Sequence, residues 1–397
     1  MGSFAAMLRQ GSPWASLPEA VDHKVELSHV LAHEPDGFSS SCRSAARKWV
    51  HRGMRVAQSM RMAGTFPIGS FHRSRWLRDA SDGPTATVYF SGPLSPLIGE
   101  AGSRKPIWRL GANVYHRYGD VPQTVVLRQF DRRTERAMAR HPGTIHYVID
   151  DDVAAGTVEP DLSAPYRRRL ARLRAGVHRT MMVHAEYIYV PSDALARVLR
   201  TTGTIERIDP ALNAPVATLD HHDEALRLVF PGTRSHLADL LEIAPMLARF
   251  LRTHPDASLT TWLGSAVPDT LRLPNATHLA TLDWPMFQGV LRRERFHAAL
   301  LPARPTAFNA ARSHNKLLEC ACLGAAPLTG LHAPYAETVR EEGGIVVEDW
   351  SDTLAWAIRD RVALKEVARR NVNWARTAGD PGELVRFWSE RLDLPDM

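Results

Sequence analysis

Lys316 and Glu319 are the pair best suited to do chemistry in this chain. They stand three residues apart in the stretch Phe308-Asn309-Ala310-Ala311-Arg312-Ser313-His314-Asn315-Lys316-Leu317-Leu318-Glu319. The stretch reads as a polar turn followed by a short helix that ends at Gly324. A helix N-terminus gathers unpaired backbone N–H groups and the positive end of the peptide dipoles, which suits a phosphate. Lys316 would add a full positive charge there. Glu319 shares its helix face and can accept hydrogen bonds from sugar hydroxyls. A cation for a diphosphate beside a carboxylate for a ribose describes a nucleotide-sugar site.

Two further clusters bear on such a site. Gly232-Thr233-Arg234-Ser235-His236 falls between a strand and a helix and can wrap a phosphate, with Arg234 or His236 touching phosphate or sugar. The plainer reading is a strand-to-helix turn with Ser235 as N-cap. Asp150-Asp151-Asp152 closes the apolar run Ile145–Ile149, and carboxylates at a strand's C-terminal end face a ligand crevice. Asp151 can there take a proton from an acceptor hydroxyl, and N-capping by Asp151 or Asp152 is the alternative. Acidic triplets also bind hard cations, but helix dipoles and basic side chains can meet phosphate charge, so no metal or other cofactor is expected. His146 reads as a structural strand residue, and His116 and His314 as surface residues. Trp284 with Phe287 reads as packing between domains.

These residues need a scaffold. The chain's 397 residues, 44% of them hydrophobic, suffice for two domains with separate cores. No apolar run reaches the ~18–20 residues of a membrane span, and no N-terminal signal pattern is present, so a cytoplasmic location is expected. Of the three cysteines, Cys320 and Cys322 stand two apart in the expected helix, too close for a mutual disulfide and wrongly spaced for a CxxC metal site. The net charge of +6 attracts polyanions without singling out nucleic acid. Basic residues crowd Arg43–Arg78. Residues 1–80 therefore read as a basic extension, partly disordered, through which the protein can meet the inner face of a membrane, Trp49, Val50, Met54 and Val56 being interleaved with the charges.

From about Thr85 short apolar runs alternate with amphipathic segments. Thr87–Phe90, Thr124–Leu127, Ile145–Ile149, Tyr187–Val190 and Thr204–Ile208 are expected strands, with a basic helix over Pro165–Val183. After the polar connector Asn213–Glu224 the alternation resumes. Leu226–Phe230, Leu259–Leu263, Phe296–Leu301, Ala326–Leu328 and Ile345–Val347 are expected strands, with terminal helices over Asp352–Ala375 and Gly382–Leu392. Strand–helix alternation implies parallel sheets covered on both faces. The expected fold is α/β, with two Rossmann-like doubly wound domains facing across a cleft, over residues 81–215 and 225–397.

Three segments resemble the C-terminal domain of GT-B-fold glycosyltransferases of the group-1 type, which build bacterial polysaccharides and glycoconjugates. They are Phe230–Asp239, Phe308–Pro327, and Gly343–Val347 with Trp350-Ser351-Asp352. The resemblance covers the chain well from Leu226 onward, less closely over Thr85–Leu212, and not over residues 1–80. It implies a donor site made by Gly232, Arg234, Ser313, Lys316 and Glu319, with Glu319 on the ribose and Lys316 on the departing diphosphate. Lys316 and Asp151 are the expected catalytic residues. Many retaining members carry two glutamates eight positions apart. Glu319 matches the second, and Ala311 stands in the place of the first.

The expected activity is transfer of a sugar from a nucleotide-sugar donor to a hydroxyl of a glycan or glycoconjugate acceptor. A nucleotide-sugar epimerase or hydrolase on the same plan, or a non-catalytic binding relative, are the alternatives. The donor sugar, the acceptor and the stereochemistry stay open.

Overall fold

The computed structural model of the chain describes residues 82–394. The stretch Arg43–Arg78, and the reading of residues 1–80 as an extension, lie outside the described residues. The first sheet contains β1 (Ile98–Glu100), β2 (Ile107–Gly111), β3 (Val114–Arg117), β4 (Gln123–Leu127), β5 (Thr144–Val148), β6 (Tyr187–Val190) and β7 (Thr204–Arg207), side by side in chain order. β4 to β7 are parallel, as their intervening helices require. β2, β3 and β4 pair antiparallel, which the sequence reading had not anticipated. Their connections are too short for a crossover, and Asn113 at φ 62° makes the turn between β2 and β3.

Thr87–Phe90, expected as a strand, is helical. α1 (Pro84–Ala86) begins with proline in its first turn and runs into a π-helical turn over Thr87–Ser91. Val88, Tyr89 and Phe90 are all buried, and an apolar run this short carries no period that separates a buried helix from a strand.

α2 (Arg132–Arg140), α3 (Val153–Val158), α4 (Ala164–Leu173), α5 (Arg179–His184) and α6 (Asp193–Val198) connect the parallel strands. Right-handed crossovers between strands that follow one another in order put every helix on the same face. Met138, Leu170, Met181 and Leu195 from these helices accordingly share one core with Val126, Ile145 and Tyr147. Alternate strand residues, Val125, Leu127, Val148 and Tyr189, point the other way, toward Phe90, Leu94, Trp388 and Leu392. The basic helix expected over 165–183 is broken at Gly176, whose φ −104° and ψ −109° are not helical.

The second sheet holds β8 (Arg227–Phe230), β9 (Ser258–Thr261), β10 (Ala276–His278), β11 (Ala298–Leu301), β12 (Ala326–Gly330) and β13 (Ile345–Val347), all parallel, in the order β10-β9-β8-β11-β12-β13. Its helices are α7 (Leu237–Thr253), α8 (Trp284–Arg293), α9 (Ala307–Ala310), α10 (Asn315–Leu323), α11 (Ala336–Glu341), α12 (Trp350–Arg359), α13 (Arg361–Ala378) and α14 (Pro381–Leu392). The single helix expected over 352–375 is two, parted at Asp360, whose carboxylate caps α13 through Ala363 N at 2.9 Å. α14 leaves the second sheet for the first, where Trp388 Nε1 donates to Tyr89 O at 2.7 Å.

The fold is therefore α/β with two parallel-rich sheets. In the second, the strand order reverses between β8 and β11. A doubly wound sheet binds its ligand at such a switch point, in the crevice outside the carboxyl ends of the strands.

Candidate functional site

A pocket of about 460 Å³, open to solvent, lies at this switch point. Gly232 and His236 line it after β8, Pro302 and Ala303 after β11, and Ser313 and Lys316 at the head of α10. α10 forms where the sequence places it. Ser313 Oγ accepts from Asn315 N at 3.3 Å in the entry turn, Leu317, Leu318, Cys320 and Leu323 are buried, and Gly324 ends the helix at φ 67°.

Lys316 Nζ donates to Glu319 Oε2 at 2.6 Å and to Pro231 O at 3.0 Å, and lies 5.8 Å from the Phe287 ring centroid. Asn315 Nδ2 holds the other oxygen of Glu319 at 2.8 Å. Glu319 is 3% exposed and lies beneath the pocket rather than in its lining. The cation and the carboxylate satisfy each other.

Gly232 lines the pocket, but its lack of a side chain is already required by the fold: a Cβ there would sit 2.4 Å from Phe230 Cζ. Arg234 is exposed and outside the lining, in the 3₁₀ turn Arg234–His236. Ser235 lies in that same turn and makes no N-cap hydrogen bond. The guanidinium that does line the pocket is that of Arg312, which composition and spacing gave no reason to prefer.

Arg312 sits in a chain of polar contacts that links the two sheets. Its Nη1 contacts His236 Nε2, its Nε lies 3.9 Å from Asp151 Oδ1, and its guanidinium stacks 4.6 Å from the Phe308 centroid. His236 Nδ1 lies 3.0 Å from Asp239 Oδ2, and Asp239 Oδ1 accepts from Asn309 Nδ2 at 3.0 Å. Burial, with Arg312 adding to it, lowers the His236 pKa to about 4. The imidazole is thus neutral, donating through Nδ1 and accepting from Arg312 through Nε2.

On the first sheet, Arg128 follows β4 with φ 65°. It binds Asp150 Oδ1 at 2.7 Å and Asp151 Oδ2 at 2.6 Å, while Thr85 Oγ1 donates to Asp150 Oδ2 at 2.7 Å. Burial raises the Asp151 pKa, but Arg128 and then Arg312 outweigh it and hold the carboxyl below the usual range. A carboxylate clamped in this way is a weak proton acceptor, so its environment suits an electrostatic partner better than a base. Asp152 is the N-cap of α3, accepting from Ala155 N at 2.9 Å.

Several buried polar atoms are left without hydrogen-bond partners here. They are Arg312 Nε, His314 Nε2 and Asn315 Oδ1, on nearly consecutive residues at the head of α10. Opposite them is Tyr89, 1% exposed, whose Oη approaches Ser313 without completing a hydrogen bond. Of these residues Arg312 lines the pocket, together with Ser313 and Lys316. Sequence reasoning missed Tyr89 because it read that segment as a strand.

The remaining histidines differ in part from expectation. His116, read as a surface residue, is buried, with Nδ1 3.0 Å from Thr124 Oγ1. His314 does not simply face solvent: it packs edge-on against Trp374 at 5.3 Å. His146 is structural, bonded to Tyr189 Oη at 2.9 Å and Gln123 Oε1 at 2.8 Å. Trp284 Nε1 donates to Thr87 Oγ1 at 2.9 Å, a contact between the two halves. Cys320 and Cys322 are buried free thiols.

No protein-family model matches the chain, and no curated protein does. Among solved structures, the chain is similar to a sucrose-phosphate synthase from Thermosynechococcus elongatus, at 15% identity and TM-score 0.43, over 64% of this chain and 69% of that one. It is similar to TarM at 7% identity and TM-score 0.45, over 63% of this chain and 50% of the other. It is also similar to an α,α-trehalose-phosphate synthase (UDP-forming) from Burkholderia vietnamiensis, at 11% identity and TM-score 0.42, over 68% and 74%. Among the described residues, no helix is long and apolar enough to cross a membrane.

Proposed function

We propose that this protein is a GT-B glycosyltransferase that moves a sugar from a nucleotide-sugar donor to a hydroxyl of a glycan or glycoconjugate. The observation that carries this reading is the pocket at the sheet's switch point, lined by Arg312, Ser313 and Lys316 where α10 begins.

Donor binding is an exchange of partners. The diphosphate draws Lys316 Nζ away from Glu319, and ribose hydroxyls donate to the carboxylate oxygen that Lys316 vacates. Asn315 Oδ1 accepts a further hydroxyl, and Arg312 Nε and the first-turn amides of α10 face the phosphates. Ser313 Oγ stands at the same helix head. Transfer then breaks the bond between the anomeric carbon and the diphosphate oxygen, the electron pair leaving with the diphosphate. Lys316, Arg312 and the helix N-terminus stabilise that growing charge in place. The acceptor oxygen bonds to the anomeric carbon, and its proton passes to an oxygen of the departing diphosphate or to water. Asp151, proposed from its sequence position as the acceptor of that proton, fits better as the group that orients Arg312. Arg234 has no role in this scheme.

The test is a melting-temperature panel of UDP-, GDP- and ADP-linked sugars on the wild-type protein and on Lys316→Ala and Arg312→Ala. One nucleotide series should stabilise the wild type, because a ligand bound only to the native state raises its stability. The shift should shrink in both variants. Stabilisation by no donor, or equal stabilisation of all three proteins, would sink the assignment. Donor consumption without any acceptor would favour hydrolysis or epimerisation at the same site.

A further inference from the structure

Behind the pocket, three side chains hold one another in a single hydrogen-bond order. Asp239 stands in the first turn of α7, where a carboxylate suits the helix dipole, and His236 directly precedes that helix. Asp239 is 4% exposed. Its Oδ1 accepts twice, from Arg304 N at 2.9 Å and from Asn309 Nδ2 at 3.0 Å. Asn309 Nδ2 is itself tethered to Arg304 O at 3.1 Å, so both donors are fixed. The imidazole meets the other oxygen, with Nδ1 3.0 Å from Oδ2.

A neutral imidazole donates through one ring nitrogen and accepts through the other. An ionised carboxylate only accepts, so the proton sits on His236 Nδ1 and the lone pair on Nε2. A guanidinium only donates, and Arg312 Nη1 meets that lone pair. Asp151 attracts the same guanidinium, but 3.9 Å is too long for a hydrogen bond, so the direction at Nη1 comes from His236. We propose that Asp239 and His236 are positioning residues for the transfer, Asp239 aiming Arg312 into the pocket through the tautomer it imposes on His236. This rests on the reading that Arg312 meets the donor diphosphate.

The surroundings make Asp239→Asn a sharp perturbation. Arg304 N and Asn309 Nδ2 both require an acceptor, so they claim the amide oxygen and turn the amide N–H toward His236. Nδ1 must then accept, and the ring proton moves to Nε2, where it faces the N–H groups of Arg312. Arg312 would turn away. A glutamine at position 236 escapes this control, because its amide reaches the place of Nε2 and can present oxygen to Arg312 whatever stands at position 239. An asparagine at 236 reaches Asp239 but not Arg312.

The experiment is heteronuclear NMR of the imidazole nitrogens in histidine-labelled protein, with calorimetric titration of the nucleotide-sugar that stabilises the wild type. The ring signals of His236 are those lost in His236→Gln. They should show the Nδ1–H form in the wild type and the Nε2–H form in Asp239→Asn. Donor affinity in Asp239→Asn should fall about ten- to hundredfold, the worth of one hydrogen bond to a charged group. The double variant Asp239→Asn/His236→Gln should recover most of that loss, which a merely structural role for Asp239 would not allow. Should Asp239→Asn fail to fold, His236→Asn should bind donor more weakly than His236→Gln by the same factor. An unchanged tautomer in folded Asp239→Asn, a double variant no better than Asp239→Asn, or equal affinity of His236→Asn and His236→Gln would overturn the proposal. The tautomers are read without ligand, so a wild type that no donor stabilises would sink the donor assignment while the imidazole signals still decide whether Asp239 sets the tautomer.

Discussion

Replacing Glu319 by alanine should expose how the site holds itself together without a ligand. The substitution removes two charge-assisted hydrogen bonds, from Lys316 Nζ at 2.6 Å and Asn315 Nδ2 at 2.8 Å. Bonds to charged groups contribute about 1.5–3 kcal/mol each. The Lys316 side chain is 23% exposed and keeps Pro231 O, so it can relax toward water and the low end applies. The expected loss is about 3 kcal/mol, a fall of ~4 °C in melting temperature for a cooperative unit of this length. Lys316→Ala should cost about as much or more, because it strands a carboxylate that is only 3% exposed. In the double variant neither charge remains, so the two costs should not add, and the coupling should be about 1–2 kcal/mol. Urea unfolding followed by tryptophan fluorescence measures all four proteins. Repeated with saturating donor, the cycle should show weaker coupling, since Lys316 then pairs with phosphate. Additivity within about 0.5 kcal/mol without ligand would refute the reasoning.

Other consequences follow from neighbouring contacts. Gly156→Ala should displace Leu170 and Phe308, since the new Cβ would lie 2.5 Å from Leu170 Cδ1 and 2.8 Å from Phe308 Cε2, and donor affinity should fall in calorimetric titration while β8 and β11 stay intact. Asp151→Asn should leave Arg128 and Arg312 less restrained and lower kcat by about tenfold or more, without moving the acid limb of the pH–rate profile; a shifted limb would restore the proton-acceptor reading. The rings of His221, His222 and His297 pack 4.6–5.2 Å apart. Burial lowers the pKa of all three, His222 to about 4 and His297 to about 3. Their neutral forms therefore stabilise the fold fully above the unfolded histidine value of ~6.5. That stability should drain away as pH falls from there toward 3–4, by up to about 3 kcal/mol per pH unit for His222 and His297 together. Urea midpoints between pH 7 and 4.5 measure the slope, which should flatten in His297→Asn.

The parts of this molecule that were legible in the sequence are those with a local cause. β8, β11 and β12 are apolar runs bounded by turn residues, and α10 has both its polar entry and its terminating Gly324. Lys316 and Glu319 meet because they lie three apart on one helix, a geometry that spacing fixes without tertiary knowledge. The β2–β3 hairpin was missed because Ile107–Gly111 is short and carries Arg109 among its apolar residues. The π turn at Thr87–Ser91 was misread because its buried run, Val88 to Phe90, is too short to show a helical period. Arg312 could not be preferred over Arg234, since what distinguishes them is proximity to Asp151, 161 positions earlier in the chain, and to His236. Asp151 was placed correctly at a strand end, but its chemistry depends on Arg128, whose direction is set by a single left-handed backbone residue.

Amide hydrogen exchange with and without the stabilising nucleotide-sugar tests the central claim most directly, because it reports where the ligand sits. Bound donor should slow exchange in peptides covering residues 230–236 and 312–320, and this protection should be lost in Arg312→Ala. Protection confined to the first sheet, or to the far side of the second, would contradict a donor site at the head of α10.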